Sequence, residues 1–274
     1  MKTPKIAFVG DLTVDRYLQS GDVRLGGAAI NCAIWTARAG GLPAIASAVG
    51  DDDAGQRFLR TLRAKGIGVT HIQTIPGQTS SIEINTLKNG ERQYGQWDPG
   101  TLARYHIQKK NEAYLRRHNA VCVIPYPQYA HILDELHFLK ARSRHPLVVI
   151  NYGDLVEFDK NLRIVFNYVS LWDMAVFGLN KDLDESIINT LRELAQDENK
   201  TIIITLGQYG SLAYDGSKVF VQASGVAKIV DTTGAGDAFL SGFLVAYLRS
   251  RDVQQSLAAG TELASKAISH VGAY

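Results

Sequence analysis

The stretch Ile229-Val230-Asp231-Thr232-Thr233-Gly234-Ala235-Gly236-Asp237-Ala238-Phe239-Leu240-Ser241-Gly242-Phe243 decides how the rest of the chain is read. An apolar lead-in at 226–230 runs into a loop of small residues. The loop runs into an amphipathic segment, 239–248, with apolar residues at helical spacing. Gly234, Ala235 and Gly236 let backbone come close to a ligand, because no large side chain stands in the way. If a helix starts here, its first N–H groups have no partners inside the helix. With the helix dipole they make a site for an anion. Asp237 does not belong in a plain anion hole: a carboxylate repels a bound phosphate unless its task is to take a proton from an attacking hydroxyl.

That pairing points to phosphoryl transfer to an alcohol. Backbone N–H groups would stabilise charge on the moving group, and Asp237 would act as general base. A plainer reading uses the same residues: Thr232 or Thr233 caps a helix, the glycines make a turn, and Asp237 complements the dipole.

The 274 residues suit one large domain, with 46% apolar and 20% charged residues, the balance of a globular chain with a sizeable core. A formal charge of +2 gives no basic field of the kind nucleic acid demands, and the Arg142–His145 cluster reads as a solvated helix end. Cys32 and Cys122 lie far apart and suit a reducing compartment as buried thiols. The seven histidines are scattered without ligand spacing, which speaks against a transition-metal site. No secretory h-region and no run of membrane-spanning length is present, so the expectation is a cytoplasmic protein without a membrane partner.

Residues 5–9 read as a buried strand, with Asp11 and Asp15 beyond its carboxyl end, where open α/β sheets hold ligands. A short polar piece follows at 17–25. Helices are expected at 28–39, 54–65, 129–141, 184–196, 235–249 and 253–270. Apolar strands are expected at 44–49, 68–75, 121–124, 147–150, 174–177 and 201–205. This spacing implies α/β architecture, a mainly parallel sheet covered by helices on both faces. An antiparallel ribbon at 81–97, turning at Asn89-Gly90, interrupts the alternation and reads as a lid; 211–222 forms a second hairpin. A ribbon edge left uncovered favours pairing with a second copy, a homodimer through the lid.

Four separated pieces, in order, resemble the ribokinase-like (PfkB) carbohydrate kinases: Gly10-Asp11 with Asp15; Gly26-Gly27-Ala28-Ala29-Ile30-Asn31 with 49–55; Thr205-Leu206-Gly207-Gln208-Tyr209-Gly210; and the opening stretch. They span residues 6–272. The resemblance implies a single ribokinase-like kinase domain, 1–274, with a small lid from about 12–25 and 78–98. It implies an ATP-dependent kinase acting on a small sugar-like alcohol, with ATP and Mg2+ and, in many members, K+. Asp11, Asp15, Gly27 and Asn31 would hold sugar hydroxyls. Asn180, Thr205, Gly207 and Gly210 would border the nucleotide. Gly234, Ala235 and Gly236 would form the anion hole beside Asp237, and Asp231, Thr233, Ala267, His270 and Gly272 would surround a monovalent cation.

Three departures stand out. The glutamate of the family's Asn-x-x-Glu is absent after Asn180, leaving Asp182 or Asp184 as its substitute. The segment between Asp15 and Gly26 is short, and the chain stops soon after the presumed cation loop. The short lid and the Gly-Ala-Tyr ending look most like the fructoselysine 6-kinase branch, whose acceptors are fructosamines. A kinase of nucleosides or other small alcohols, and a non-catalytic sugar or nucleotide sensor, are the competing readings. Trp35 and Trp172 read as core, Trp97 as core or substrate platform, and Tyr126-Pro127 as a rigid turn, lining the cleft or purely structural.

Overall fold

The computed structural model describes residues 2–86, 92–140, 146–225 and 228–274. The turn expected at Asn89-Gly90, the cluster at 142–145 and part of the 226–230 lead-in lie outside these residues.

The chain begins with β1 (Lys5–Val9), β2 (Thr13–Tyr17), β3 (Val23–Gly26), α1 (Ala28–Arg38), β4 (Leu42–Gly50), α2 (Asp53–Ala64) and β5 (Ile72–Ile75). Next come β6 (Ser81–Thr86), β7 (Arg92–Asp98), α3 (Lys109–Leu115), β8 (Ala120–Val123), β9 (Leu147–Gly153), α4 (Arg163–Asn167) and β10 (Met174–Gly178). The last part holds α5 (Glu185–Asp197), β11 (Thr201–Thr205), β12 (Ser211–Asp215), β13 (Lys218–Gln222), α6 (Ala235–Ser250) and α7 (Val253–Ala267).

Among the described residues, nine strands form the main sheet in the order β13-β12-β11-β10-β9-β8-β1-β4-β5. All pairings from β11 to β5 are parallel; β12 and β13 join antiparallel at one edge. Strand alternation splits the core between two faces. Ala7 and Val9 join one apolar cluster and Ile6 and Phe8 the other; Ile202 and Ile204 side with the first, Ile203 with the second. Nearly every residue of these strands is apolar because both faces are covered.

Four more strands form the small sheet, in the order β3-β2-β6-β7. It consists of two antiparallel hairpins joined by a parallel pairing of β2 with β6. The polar piece expected after Asp15 is therefore part of a strand pair. Its alternation is hidden because one face of the sheet looks into a cavity and takes polar residues. The strand expected at 68–75 shortens to β5.

The helix expected at 129–141 is instead a run of 3-10 turns, Pro127–Lys140, interrupted at Tyr129, whose φ is −139°. Its buried residues include Ile132, Leu133, Leu136 and Leu139, with steps of three that suit the tighter 3-10 winding. Tyr129 turns inward and donates its hydroxyl to the Ile124 carbonyl. Trp35 and Trp172 are both buried, as expected.

Helices α6 and α7 cross with backbone close to backbone. A Cβ on Gly242 would stand 2.7 Å from the Ala259 carbonyl oxygen, and one on Gly260 would stand 2.8 Å from that of Phe239. This contact sets the position of α6, and therefore of Asp237 at its start. No helix among the described residues is long and apolar enough to cross a membrane.

Candidate active site

Sequence order runs from β1 outward in both directions: to β4 and β5 on one side, and to β8 through β11 on the other. A crevice opens at such a reversal, beyond the strands' carboxyl ends. Here it is a cavity of about 550 Å³, walled by Asp11 after β1, Tyr126 after β8, the 151–158 segment, Gly178, Thr205 and the start of α6, with Ile82, Gly95 and Trp97 of the small sheet across from them.

Asp11 is almost wholly buried and its carboxylate has two partners. The Ala28 amide at the start of α1 donates to it at 3.0 Å, and the Thr13 hydroxyl donates at 2.7 Å. Burial raises its pKa above the usual carboxylate range, against those two donors. The glycines at 26–27 are explained by these acids. A Cβ on Gly26 would meet the Asp15 carboxylate at 2.5 Å, and one on Gly27 would meet the Asp11 carbonyl oxygen at 2.6 Å. Gly27 also holds a φ of 98°, which a side chain rarely permits. The pair therefore makes room for the two aspartates, and Gly27 also borders the cavity.

Gly234 precedes α6 at φ 74°, in the left-handed region. The first amides of α6 divide into two groups. Ala235 N–H is donated to the Thr232 carbonyl at 3.2 Å and Ala238 N–H to the Gly234 carbonyl at 2.9 Å. The Gly236 and Asp237 amides have no such acceptor among the described residues, and a Cβ on Gly236 would meet nothing within 4 Å. An open space in front of partnerless amides fits an anionic group. Of the residues expected to form an anion hole, Gly234 and Gly236 keep amides without a backbone acceptor among the described residues, whereas the Ala235 amide closes the turn.

Asp237 reaches the cavity from the first turn of α6. Asn31 Nδ2 donates to its Oδ2 at 2.8 Å, and the Cys32 thiol stands 3.6 Å from Oδ1. Enclosure by protein pushes its pKa up to about 7; the Asn31 bond works against the rise and the nearby Asp11 charge adds to it. A carboxylate titrating near neutrality, at the edge of a cavity, is suited to accept a proton. Asn31 is itself buried, and its Oδ1 has no partner among the described residues.

Of the two readings of Tyr126, a turn lining the cleft or a purely structural one, the first matches: it lines the cavity. Its ring lies 4.9 Å from that of Trp97, which also lines the wall. Burial pushes the Tyr126 hydroxyl well up, and the charges of Asp11, Asp237, Glu157 and Asp154 add to this. Four carboxylates therefore act on one phenol, all in the same direction. Asp154 and Glu157 were not foreseen: the 151–158 stretch carries no motif. Its backbone is unusual, with Leu155 at φ 61°, Asp159 at 52° and Lys160 at 54°. Leu155 is buried in the core and holds the loop against the sheet.

Among the expected nucleotide residues, Thr205 lines the cavity and donates its hydroxyl to the Phe177 carbonyl at 3.3 Å. Asn180, Gly207 and Gly210 stand outside the lining. Asn180 Oδ1 accepts the Asp182 and Leu183 amides, and a Cβ on Gly210 would collide with the Gln222 carbonyl oxygen at 2.1 Å. Neither Asp182 nor Asp184 reaches the cavity. Asp184 is buried and bound by Lys160 Nζ at 2.7 and 2.8 Å and by the Asn180 amide at 2.9 Å. Burial alone would raise its pKa; Lys160 and that amide outweigh it and hold the carboxyl low. The expectation that it replaces the missing glutamate is corrected: its charge is already matched within the chain.

Of the expected cation residues, Asp231 joins two loops. Its Oδ1 accepts the Thr233 amide at 3.0 Å and its Oδ2 the Gly272 amide at 2.8 Å. Ala267 ends α7, and the His270 ring stacks on Trp35 with centroids 6.1 Å apart. Asp231 and Thr233 thus lie on the loop before α6, and Ala267, His270 and Gly272 at and beyond the end of α7, the two joined through Asp231.

Residues 6–135 and 173–274 match the pfkB family carbohydrate kinase profile. The chain is 30% identical over 274 residues to fructoselysine 6-kinase of Escherichia coli (strain K12), covering 100% of both chains. It is 27% identical to fructosamine kinase FrlD of Bacillus subtilis (strain 168), over 98% of this chain and 93% of that one. Among solved structures, adenosine kinase from Sinorhizobium meliloti superposes with a TM-score of 0.83 at 20% identity, covering 99% of this chain and 96% of its own. Ribokinase from Thermotoga maritima superposes with a TM-score of 0.76 at 20% identity, covering 98% and 94%. The fold is therefore ribokinase-like, and the chain belongs to the pfkB family of carbohydrate kinases, phosphotransferases with an alcohol group as acceptor.

Proposed function

We propose that the protein transfers the γ-phosphoryl group of ATP to a hydroxyl of a fructosamine, a sugar carrying a protonated amine. One observation carries the choice of acceptor. Among the described residues lining the cavity are five carboxylates (Asp11, Asp15, Asp154, Glu157 and Asp237) and neither lysine nor arginine. A neutral sugar needs no such field, and an anionic one is repelled by it; an ammonium group is drawn in. The full-length likeness to a fructoselysine kinase and a fructosamine kinase supports the same reading.

In this mechanism Asp11, Asp15, Gly27 and Asn31 hold the sugar hydroxyls, and Asp154 and Glu157 hold the amine. Asp237 takes the proton of the attacking hydroxyl, while Asn31 keeps its carboxylate aimed. The Gly236 and Asp237 amides, with Gly234 and Ala235 shaping the turn, face the charge that develops on the phosphoryl oxygens. The partnerless amides and the open space before Gly236 fit the nucleotide's phosphates; Thr205 borders them, with Gly207, Gly210 and Asn180 further out along the same strand ends. Mg2+ binds largely through substrate phosphates and water, so it needs few protein ligands here. Bound Mg-ATP supplies the phosphoryl group and the divalent charge that offsets its own. Asp231, Thr233 and the carbonyls of Ala267, His270 and Gly272 offer oxygen donors suited to K+.

The test is ADP release with Mg-ATP across sugars, fructosamines and nucleosides, with and without potassium. Fructosamines should show the lowest KM, and potassium should raise the rate. Turnover of neutral sugars with equal or lower KM removes the fructosamine assignment, and the absence of any turnover removes the kinase reading.

A further inference from the structure

Spacing in the sequence gives no hint of a transition-metal site, yet the fold brings three suitable side chains together outside the cavity. His106 follows the small sheet; His131 and Glu135 lie on the 3-10 run at 127–140. One ligand atom from each lies within 4.8 Å of the others, and this is the only such group of histidine, cysteine or acidic side chains among the described residues. The two imidazole rings are 4.8 Å apart between centroids.

The neighbouring groups are those a metal site requires. His131 Nε2 faces the Tyr105 carbonyl oxygen at 2.9 Å. A carbonyl only accepts, so Nε2 carries the proton and the neutral ring keeps a lone pair on Nδ1. Glu135 Oε2 accepts the Ile107 amide at 2.7 Å, which fixes the carboxylate while Oε1 faces His106 Nδ1. An imidazole anchored through its second nitrogen to a backbone carbonyl, and a carboxylate anchored through its second oxygen, are the usual supports of metal ligands. The His106 side chain is 67% exposed, so the remaining coordination positions open to water.

We propose that His106, His131 and Glu135 form a binding site for a divalent transition-metal ion such as Zn2+ or Co2+, separate from the Mg2+ that accompanies the nucleotide. Two imidazoles and one carboxylate suit these ions and discriminate against Mg2+, which prefers an all-oxygen shell. The ion would tie residues 105–107 to the 127–140 run. Tyr129 of that run packs against Trp97 of the cavity wall, with ring centroids 6.2 Å apart. The competing account is a simple His106–Glu135 ion pair, which has no call for a metal.

The experiment titrates Zn2+ and Co2+ into the metal-free protein in excess Mg2+, by calorimetry and by cobalt absorption. The expected result is one equivalent bound in the micromolar range, with cobalt bands of nitrogen and oxygen ligation and a melting temperature that rises with zinc. His106→Gln and His131→Gln should each lose this binding. Because His106 is exposed, His106→Gln should melt like the wild type in chelator, which separates a lost site from a lost fold. Absence of saturable binding at millimolar zinc, or unchanged binding by His106→Gln, overturns the proposal.

Discussion

Asn31 Nδ2 stands 2.8 Å from Asp237 Oδ2, and this bond joins the first turn of α1 to the first turn of α6 across the cavity. The two residues are 206 positions apart in sequence. The bond favours the charged carboxylate, whereas enclosure and the Asp11 charge favour the neutral acid. Asp237 is balanced between the two forms.

Asp237→Asn should lower kcat by about 10²- to 10⁴-fold, the usual contribution of a general base. Folding should survive, since an amide keeps the shape and removes a charge that the enclosure disfavours. Steady-state kinetics and a melting curve on one preparation check both halves. A variant retaining most of its activity removes Asp237 from the base role.

The pH profile follows from the sign of the shift. A base with its pKa raised to about 7 works only when deprotonated, so kcat/KM should climb with pH through that region. Asp11→Asn removes the neighbouring charge, so the limb should move to lower pH. Asn31→Ala removes the bond that favours the anion, so the limb should move up. For stability the order is reversed: the folded state binds the proton more tightly, and this contribution fades as pH rises from the ordinary carboxylate range through about 7. Asp237→Asn should therefore gain on the wild type across that window.

The paired change Asp154→Asn, Glu157→Gln should raise KM for a fructosamine about 10-fold or more, as expected for loss of charge-assisted contacts. KM for Mg-ATP should stay within a factor of about two if these acids read the amine. A selective rise in the nucleotide KM instead assigns them to the divalent metal.

Gly260→Ala should destabilise the protein by about 1–3 kcal/mol, the cost of overpacking a close contact. The added methyl would stand 2.8 Å from the Phe239 carbonyl oxygen, in the turn that carries Asp237. Chemical denaturation measures the loss, and kcat should fall with it as α6 shifts.

Lys160→Met should make the protein unfold at higher pH on acid titration. The low pKa of Asp184 stabilises the fold above the ordinary carboxylate range, and this stability is lost as pH falls through the folded value. Without Lys160 the acid no longer holds that advantage. Circular dichroism against pH gives the midpoint.

The parallel sheet was legible because strands buried on both faces are continuously apolar, as at 5–9 and 201–205. The start of α6 was legible because few chemistries place an acid directly after a glycine-rich anion loop. The small sheet was half legible: Asn89-Gly90 marks one hairpin, but β2 and β3 carry Asp15, Arg16 and Arg24, which mask their alternation. Asp154 and Glu157 were not legible as site residues, and Tyr126 only as one of two readings of its turn. They reach the cavity only because β8 and β9 end side by side, a fact of sheet order rather than of local sequence. The place of Asp184 was not legible for the opposite reason. It stands one residue beyond the position of the absent glutamate, but Lys160, distant in sequence, occupies its carboxylate.

The aromatic wall also makes the molecule its own optical probe. Trp35 and Trp172 are sealed in the interior, whereas Trp97 borders the cavity beside Tyr126. With phenylalanine at 35 and 172, one indole remains to report filling of the cavity through its fluorescence, without label or coupled assay.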